Sequence, residues 1–327
     1  MIDLREYGFM PEMAEACGQE IPARVTAVHR ERYQLISELG SCFGRLKAKV
    51  YYRQGKELFP TVGDFVLIEH NPLGDSVIVR TLSRKTFFSR RAPDPGRSSE
   101  QAIAANFDTV FPVQSLNENF NISRLERYLV QARQSGAEVA VLLTKADLPG
   151  DHTPMLEAAR QAAKDVPVIP ISARTGEGLA LLDSYLRSGK TFVFLGSSGV
   201  GKSSLINRLA GEEKMDVGAV REGDAKGRHT TTHRQLLKLP CGVLVIDTPG
   251  MRELGMWNAE QGLRETFEDI QSLLGNCRFS DCRHETEPGC AVREAIRRGE
   301  LSQKRWKEYQ SLLRETASSR PKRRKGQ

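Results

Sequence analysis

Between residue 21 and about residue 81 the apolar positions fall into short runs of β type, at 23–28, 33–36, 43–52, 64–69 and 77–82. Turn residues separate them at Leu39-Gly-Ser41, Gln54-Gly-Lys56 and Asn71-Pro-Leu-Gly-Asp75. Five such strands in so short a span suit a small all-β barrel such as an OB-fold, although strand counting alone admits other small β domains. Residues 1–20 show no periodicity and read as a loosely held lead-in. In 86–105 the string Ala92-Pro-Asp-Pro-Gly96 interrupts helix and strand alike and predicts a linker.

From Phe107 the texture changes to strands alternating with helices. Strand 109–113 precedes a helix over 123–135, with Leu125, Leu129 and Ala132 on one face. Strand 139–143, helix 154–164, strand 168–171 and helix 179–186 follow. Another strand then lies at 191–195, a helix begins at Ser204, and strands are expected at 236–239 and 243–246. This alternation predicts a doubly wound α/β sheet with its ligand at the C-terminal ends of the strands. Beyond it, helical patterns at 259–274 and 293–314 predict a mostly helical C-terminal domain. The expected division is therefore 1–20 lead-in, 21–85 barrel, 86–105 linker, 106–255 α/β domain and 256–327 C-terminal domain.

The chain is organised around Gly196 to Ser203, GSSGVGKS, which fits G-x-x-x-x-G-K-[ST] at every fixed position. It stands between an apolar β-prone run and a helix that puts Leu205, Ile206 and Leu209 on one face. Strand, Gly-rich turn and helix are what a phosphate cradle needs: backbone N–H groups approach the phosphates and the helix N-terminus favours their charge. Gly196, Ser197, Ser198, Gly199, Val200, Gly201, Lys202, Ser203 and Ser204 are the candidate phosphate-binding residues. Lys202 reaches the β- and γ-phosphates, and the Ser203 hydroxyl binds Mg²⁺.

Three further strand ends name the nucleotide. Asp247-Thr-Pro-Gly250 looks like the D-x-x-G loop that senses Mg²⁺ and the γ-phosphate, through Asp247 and the Gly250 N–H. Thr144-Lys145-Ala146-Asp147 resembles the guanine-specificity motif [NT]-K-x-D. Asp147 can accept from guanine N1–H and N2–H₂, a donor pair that adenine lacks, and Lys145 lays its stem over the base. A carboxylate left unpaired against the wrong base gives discrimination of roughly 10⁴-fold. Ser172-Ala173 fits the second base-side loop. The expected substrate is GTP. In Ras-like GTPases the phosphate loop comes first; here the base motif precedes it, so the domain reads as circularly permuted, which close termini and loop breakpoints allow.

Between the phosphate loop and Asp247 lies a Gly- and charge-rich segment ending Lys226-Gly-Arg-His229-Thr-Thr-Thr232-His233. It reads as a switch in which a threonine binds Mg²⁺. Thr231 is favoured, by alignment with the paired threonines of related GTPases, with Thr232 next to it. Met251 stands where Ras-like enzymes place a water-orienting glutamine, and a thioether cannot do that work. His229 is the candidate substitute, against the plain alternative of a surface histidine. Lys202, Thr231 and His229 thus form the candidate catalytic set.

Charge and cysteines change the picture at the C-terminal end. The chain of 327 residues has a net charge of +7. Residues 291–327 hold 12 Lys/Arg against 4 Asp/Glu, a net +8, which leaves the remainder at −1. That asymmetry points to a polyanion met from one end, most simply nucleic acid. Trp306 and Tyr309, interleaved with the basic residues, read as stacking groups for RNA, and in the barrel Arg24, Arg45, Lys47, Lys49, Tyr51 and Tyr52 read likewise. Cys277, Cys282, His284 and Cys290 are spaced C-x4-C-x-H-x5-C, three thiolates and an imidazole that suit one closed, structural Zn²⁺ site. Six cysteines in this length do not make a disulfide framework, no stretch has the apolar length of a membrane span, and MIDLREYGFM has no secretory core. These features lead us to expect a cytoplasmic protein.

The permuted series TKAD, SA, GSSGVGKSS, RHTTT and DTPG is joined by Pro60-Thr-Val-Gly-Asp64, Glu100-Gln-Ala-Ile-Ala-Ala-Asn106 and C-x4-C-x-H-x5-C. Over nearly the whole chain this resembles the bacterial ribosome small-subunit-dependent GTPase A family (RsgA, also called YjeQ or YloQ). The resemblance implies a late factor in small-subunit assembly. Such a factor binds the subunit and its rRNA with GTP, is stimulated there to hydrolyse it, leaves with GDP, and acts as a monomer. Thr144 replaces the commoner Asn, and Gly199 stands where potassium-dependent relatives carry an Asn. Two other readings are a permuted GTPase of the large subunit and a GTP-gated RNA-binding module with little turnover. The barrel with a C-terminal metal site disfavours the first, and the intact Lys202, Ser203 and Asp247 disfavour the second.

Overall fold

The computed structural model describes residues 1–14, 18–29, 32–49, 51, 59–91, 100–211, 234–247 and 259–319. The first five strands are β1 (Ile21–His29), β2 (Arg32–Ser37), β3 (Gly40–Leu46), β4 (Phe65–Glu69) and β5 (Ser76–Thr81). They close in the order β1-β2-β3-β5-β4-β1, with only β3 and β5 parallel, which makes a five-stranded barrel of OB type. Period-2 alternation fills its interior: Ala23, Val25, Leu35, Val66, Ile68 and Ile78 are fully buried there. The run expected over 43–52 ends as a strand at Leu46.

β4 is apolar on both faces, so its outer face also needs cover. Phe65 and Leu67 pack with Phe9, Met13 and Leu82, and the Phe9 and Phe65 rings meet edge-on at 5.5 Å. The lead-in is therefore held against the barrel: Asp3 caps the turn Leu4–Tyr7 and Leu4 is buried. The span expected as a linker is also ordered into structure. β6 (Phe87–Arg91) and β7 (Glu100–Ala105) pair as an antiparallel ribbon. Its Pro- and Gly-rich middle lies outside the described residues, while the flanks are apolar enough to pack, with Phe88 stacked on Phe107 at 4.7 Å.

The α/β sheet runs β11 (Val168–Pro170), β10 (Val141–Thr144), β8 (Thr109–Ser115), β12 (Thr191–Leu195), β14 (Leu244–Asp247), β13 (Gln235–Lys238), with the two-residue β9 (Glu138–Val139) beside β8. All neighbours are parallel except β13 and β14. Helices α1 (Ile122–Gln134), α2 (Thr153–Ala163) and α3 (Lys202–Ala210) cover it. The central strand β12 is buried on both faces, as parallel strands under helices are. Phe192 and Phe194 pack with Leu205 and Ile206 of α3, whereas Val193 and Leu195 face Tyr128 and Ala132 of α1. The helix expected over 179–186 is a single 3₁₀ turn, Leu179–Leu182.

Barrel and α/β domain share one sheet, because Ala27 of β1 pairs with Gln235 of β13. The seam is polar and closed. Arg24, 1% exposed, donates to the carbonyls of Gly63 (3.2 Å), Asn106 (2.7 Å) and Tyr7. Burial brings its guanidinium down to about 10. Gly63 has φ +91, and a Cβ there would stand 2.1 Å from the Ala105 carbonyl oxygen, so glycine is required. Two of the side chains expected to meet RNA are thus interior ones. Arg24 serves the seam, and Tyr51 is 1% exposed with its hydroxyl on Thr81 at 2.9 Å. Arg45 and Lys47 are exposed and paired with Asp75 and Glu69; Tyr52 lies outside the described residues.

The C-terminal domain is α4 (Glu260–Thr266), α5 (Glu268–Leu274), α6 (Ala291–Arg298) and α7 (Gln303–Ser319). The helix expected over 259–274 breaks at Phe267, whose ψ of 37° leaves the helical region while its ring is fully buried. Trp306 and Tyr309 stack on each other at 5.6 Å inside this core, 6% and 3% exposed. They hold the domain together rather than offering rings to bases. The domain rests on α1, through Val130 in its core and the ion pairs of Arg127 with Glu315 and Arg305 with Glu126.

Candidate functional site

β12 ends at Leu195 and α3 begins at Lys202, which leaves Gly196 to Gly201 as the connecting loop. Gly201 is the helix N-cap at φ +94, a left-handed conformation that glycine adopts without strain. It brings no capping side chain, so the first N–H groups of α3 are suited to a bound anion. Lys202 Nζ donates to the carbonyls of Gly196 (2.6 Å) and Ser197 (2.8 Å), bracing the loop across its mouth. Ser203 and Ser204 follow in the first turn of α3, and Val200 is buried beneath the loop.

The base-side loops lie against this one. Thr144, at the end of β10, donates its hydroxyl to the Val200 carbonyl and lies 3.2 Å from that of Gln114. The two motifs are thereby tied together, 56 residues apart in sequence. The chain turns at Lys145, φ +62, and the Ala146 N–H donates to Ile171 O at 3.1 Å, which stitches the Ser172-Ala173 loop alongside. Asp147 then accepts from Ser172 Oγ at 2.5 Å and from Arg174 Nε at 2.7 Å. Those two donors, the hydroxyl first, hold its carboxyl below the usual carboxylate value, so it is an acceptor at neutral pH. Ala173 packs partly buried against the core under the phosphate loop.

Asp247 closes β14, which lies directly beside the phosphate-loop strand and opposite Gln235 of β13. Gly250, His229 and Thr231 lie outside the described residues. Two residues that the motifs do not mark also reach the site. Arg124, in the first turn of α1, donates to Ser197 Oγ at 2.8 Å and to Asn119 Oδ1 at 3.1 Å. Arg174 holds Asp147. An arginine beginning a helix, or following a Ser-Ala pair, carries no sequence signal of its own.

The second cluster is in the C-terminal domain. The ligand atoms of Cys277, Cys282, His284 and Cys290 all lie within 4.8 Å of one another. His284 Nδ1 is 3.4 Å from Cys277 Sγ and 3.5 Å from Cys290 Sγ. A tetrahedral ion with metal–sulfur bonds of about 2.3 Å and metal–nitrogen bonds of about 2.0 Å sets N–S edges of about 3.5 Å. The cage fits a metal ion, and the His284 ring is fixed edge-on against Trp306 at 5.6 Å.

Residues 81–257 match the family model for RsgA GTPase. The small ribosomal subunit biogenesis GTPase RsgA 1 of Listeria innocua is 45% identical over 319 residues, covering 96% of this chain and 89% of that protein. The small ribosomal subunit biogenesis GTPase RsgA of Opitutus terrae is 44% identical over 313 residues, covering 91% and 84%. Among solved structures, YjeQ from Thermotoga maritima superposes with a TM-score of 0.64 at 28% identity, covering 92% of this chain and all of that one. YloQ, a circularly permuted GTPase, shares the fold with a TM-score of 0.60 at 24% identity, covering 93% and 97%. With a family match across more than half of the sequence and relatives alike along nearly all of it, the chain belongs to the RsgA GTPase family and is a GTP hydrolase.

Proposed function

We propose that this GTPase acts in late assembly of the small ribosomal subunit: it binds the subunit and its rRNA in the GTP state and leaves after subunit-stimulated hydrolysis. The observation that carries the reading is the hydrogen bond from Thr144 to the Val200 carbonyl, with Asp147 ionised beside it. It supports one pocket for a guanine base and its triphosphate, in a chain whose relatives are named for small-subunit biogenesis. In this pocket Asp147 reads the base, with Thr144, Lys145, Ala146, Ser172 and Ala173 around it. Lys202 neutralises the β- and γ-phosphates. Ser203 and Thr231 hold the Mg²⁺ that accompanies GTP, and the ion supplies charge neutralisation at the transferred phosphoryl group. Asp247 and Gly250 sense the γ-phosphate, and His229 orients the attacking water in place of glutamine.

The Cys₃His cage holds one structural Zn²⁺, since thiolate-rich tetrahedral sets with no open position favour that ion. Barrel residues 21–85 and the basic end of 256–327 meet rRNA on either side of the GTPase domain 106–255, and the protein works as a cytoplasmic monomer. GTP turnover with and without purified small subunits tests the proposal. Stimulation by small subunits and not by large ones is expected; equal rates with and without small subunits would refute it.

A further inference from the structure

Asp147 is the acceptor on which base recognition rests, and most of its hydrogen-bonding capacity is already taken up by this chain. A carboxylate offers about four lone-pair sites, two on each oxygen. Oδ1 accepts the Ser172 hydroxyl at 2.5 Å and keeps one site. Oδ2 takes both Arg174 donors, Nε at 2.7 Å and a terminal amino group at 2.6 Å, and is filled. Arg174 itself is 74% exposed, so its guanidinium is held here by the carboxylate rather than by packing, whereas the Asp147 side chain is only 10% exposed.

We infer that Arg174 is a specificity-setting competitor for the guanine site: it holds the Asp147 oxygen that the guanine 2-amino group needs, and guanine must displace it to bind. The guanidinium presents to the carboxylate the kind of paired N–H donors that guanine presents through N1 and N2. Hypoxanthine has N1–H and no 2-amino group. It can use the remaining site on Oδ1 and leave Arg174 where it is. Displacement therefore weighs on guanine nucleotides and not on inosine nucleotides, so Arg174 lowers affinity for GDP and GTP and narrows their advantage over the inosine forms. The ionised state of Asp147 is consistent with a contact kept until a base arrives.

This inference rests on reading Asp147 as the guanine acceptor, and the test separates the two. Binding of ribose-labelled fluorescent GDP to the full chain is followed by stopped flow, then competed with GDP, IDP and XDP. Arg174→Ala and Arg174→Gln are expected to raise GDP affinity about fivefold, the scale of a lost ion pair, with IDP affinity unchanged, so the IDP-to-GDP ratio of dissociation constants rises by the same factor. Loss of simple charge steering would move GDP and IDP equally, and an unchanged ratio overturns the inference. A fall in the ratio also overturns it, because Arg174 would then be contacting the bound base. Asp147→Asn is run in parallel and is expected to shift preference from GDP to XDP. If it does not, the reading of Asp147 fails, whatever the Arg174 variants do.

Discussion

The Thr144 hydroxyl bonds the carbonyl of Val200, so one side chain ties the start of the Thr144–Asp147 loop to the Gly196–Gly201 loop. Thr144→Val keeps the shape and removes the donor. We expect nucleotide affinity to fall about tenfold with a loss of about 1 kcal/mol of stability, the scale of one buried hydrogen bond. Titration with labelled GDP and denaturant unfolding measure the two. Unchanged affinity would mean that the loops hold their spacing without this bond.

Arg24 is expected to behave as a core residue despite its charge. Arg24→Met leaves the carbonyls of Gly63 and Asn106 without its guanidinium in a closed seam, which should cost about 2–4 kcal/mol. Arg45→Ala, at an exposed position, should change stability by less than about 1 kcal/mol. Urea unfolding of both variants checks the contrast, and comparable losses would contradict it.

Acid should loosen the packing of α5 against α7 and against Lys164, which follows α2. Burial pushes the Asp269 carboxyl up, but the hydrogen bonds and charge of Arg305, with Lys164 adding to them, hold it down at about 2. A folded-state value below the ordinary carboxylate value means stability that is present above about pH 4 and lost as pH falls toward about 2. Wild-type protein should therefore exceed Asp269→Asn in stability at pH 5, with the gap closing between about pH 4 and pH 2. A gap independent of pH across that window would rule out the ionised pair as its source.

Metal removal should be felt in the C-terminal core and little elsewhere. Cys290 and His284 touch the packing around Trp306, so a chelator is expected to change tryptophan emission and to unfold 259–319 cooperatively. One zinc per chain should be released, read by a colorimetric zinc indicator, and Cys282→Ala should bind none. Full zinc content in that variant would exclude Cys282 as a ligand.

Much of this fold is legible in the sequence because its strands are short, apolar and bounded by turn residues. The five barrel strands fall within a few residues of the runs expected for them, except that the third stops at Leu46. The base and phosphate motifs are readable for the same reason, as each stands at a strand end. What the sequence hides is which outward face meets another domain. Arg24 alternates with Ala23 and Val25 and so points out of the barrel, which reads as solvent. In the structure that side is occupied by Tyr7 and Asn106, contacts set by tertiary docking. Trp306 and Tyr309 mislead similarly: a basic helix still needs an apolar stripe to bury, and here the aromatic residues are that stripe. The ribbon of β6 and β7 was masked by the Pro-rich string between its arms.

The pairing of Ala27 with Gln235 has a mechanical meaning. It runs the barrel into the GTPase sheet at the strand that neighbours the one ending in Asp247. A load on the barrel would reach the strand beside β14 through this backbone pairing rather than through a linker.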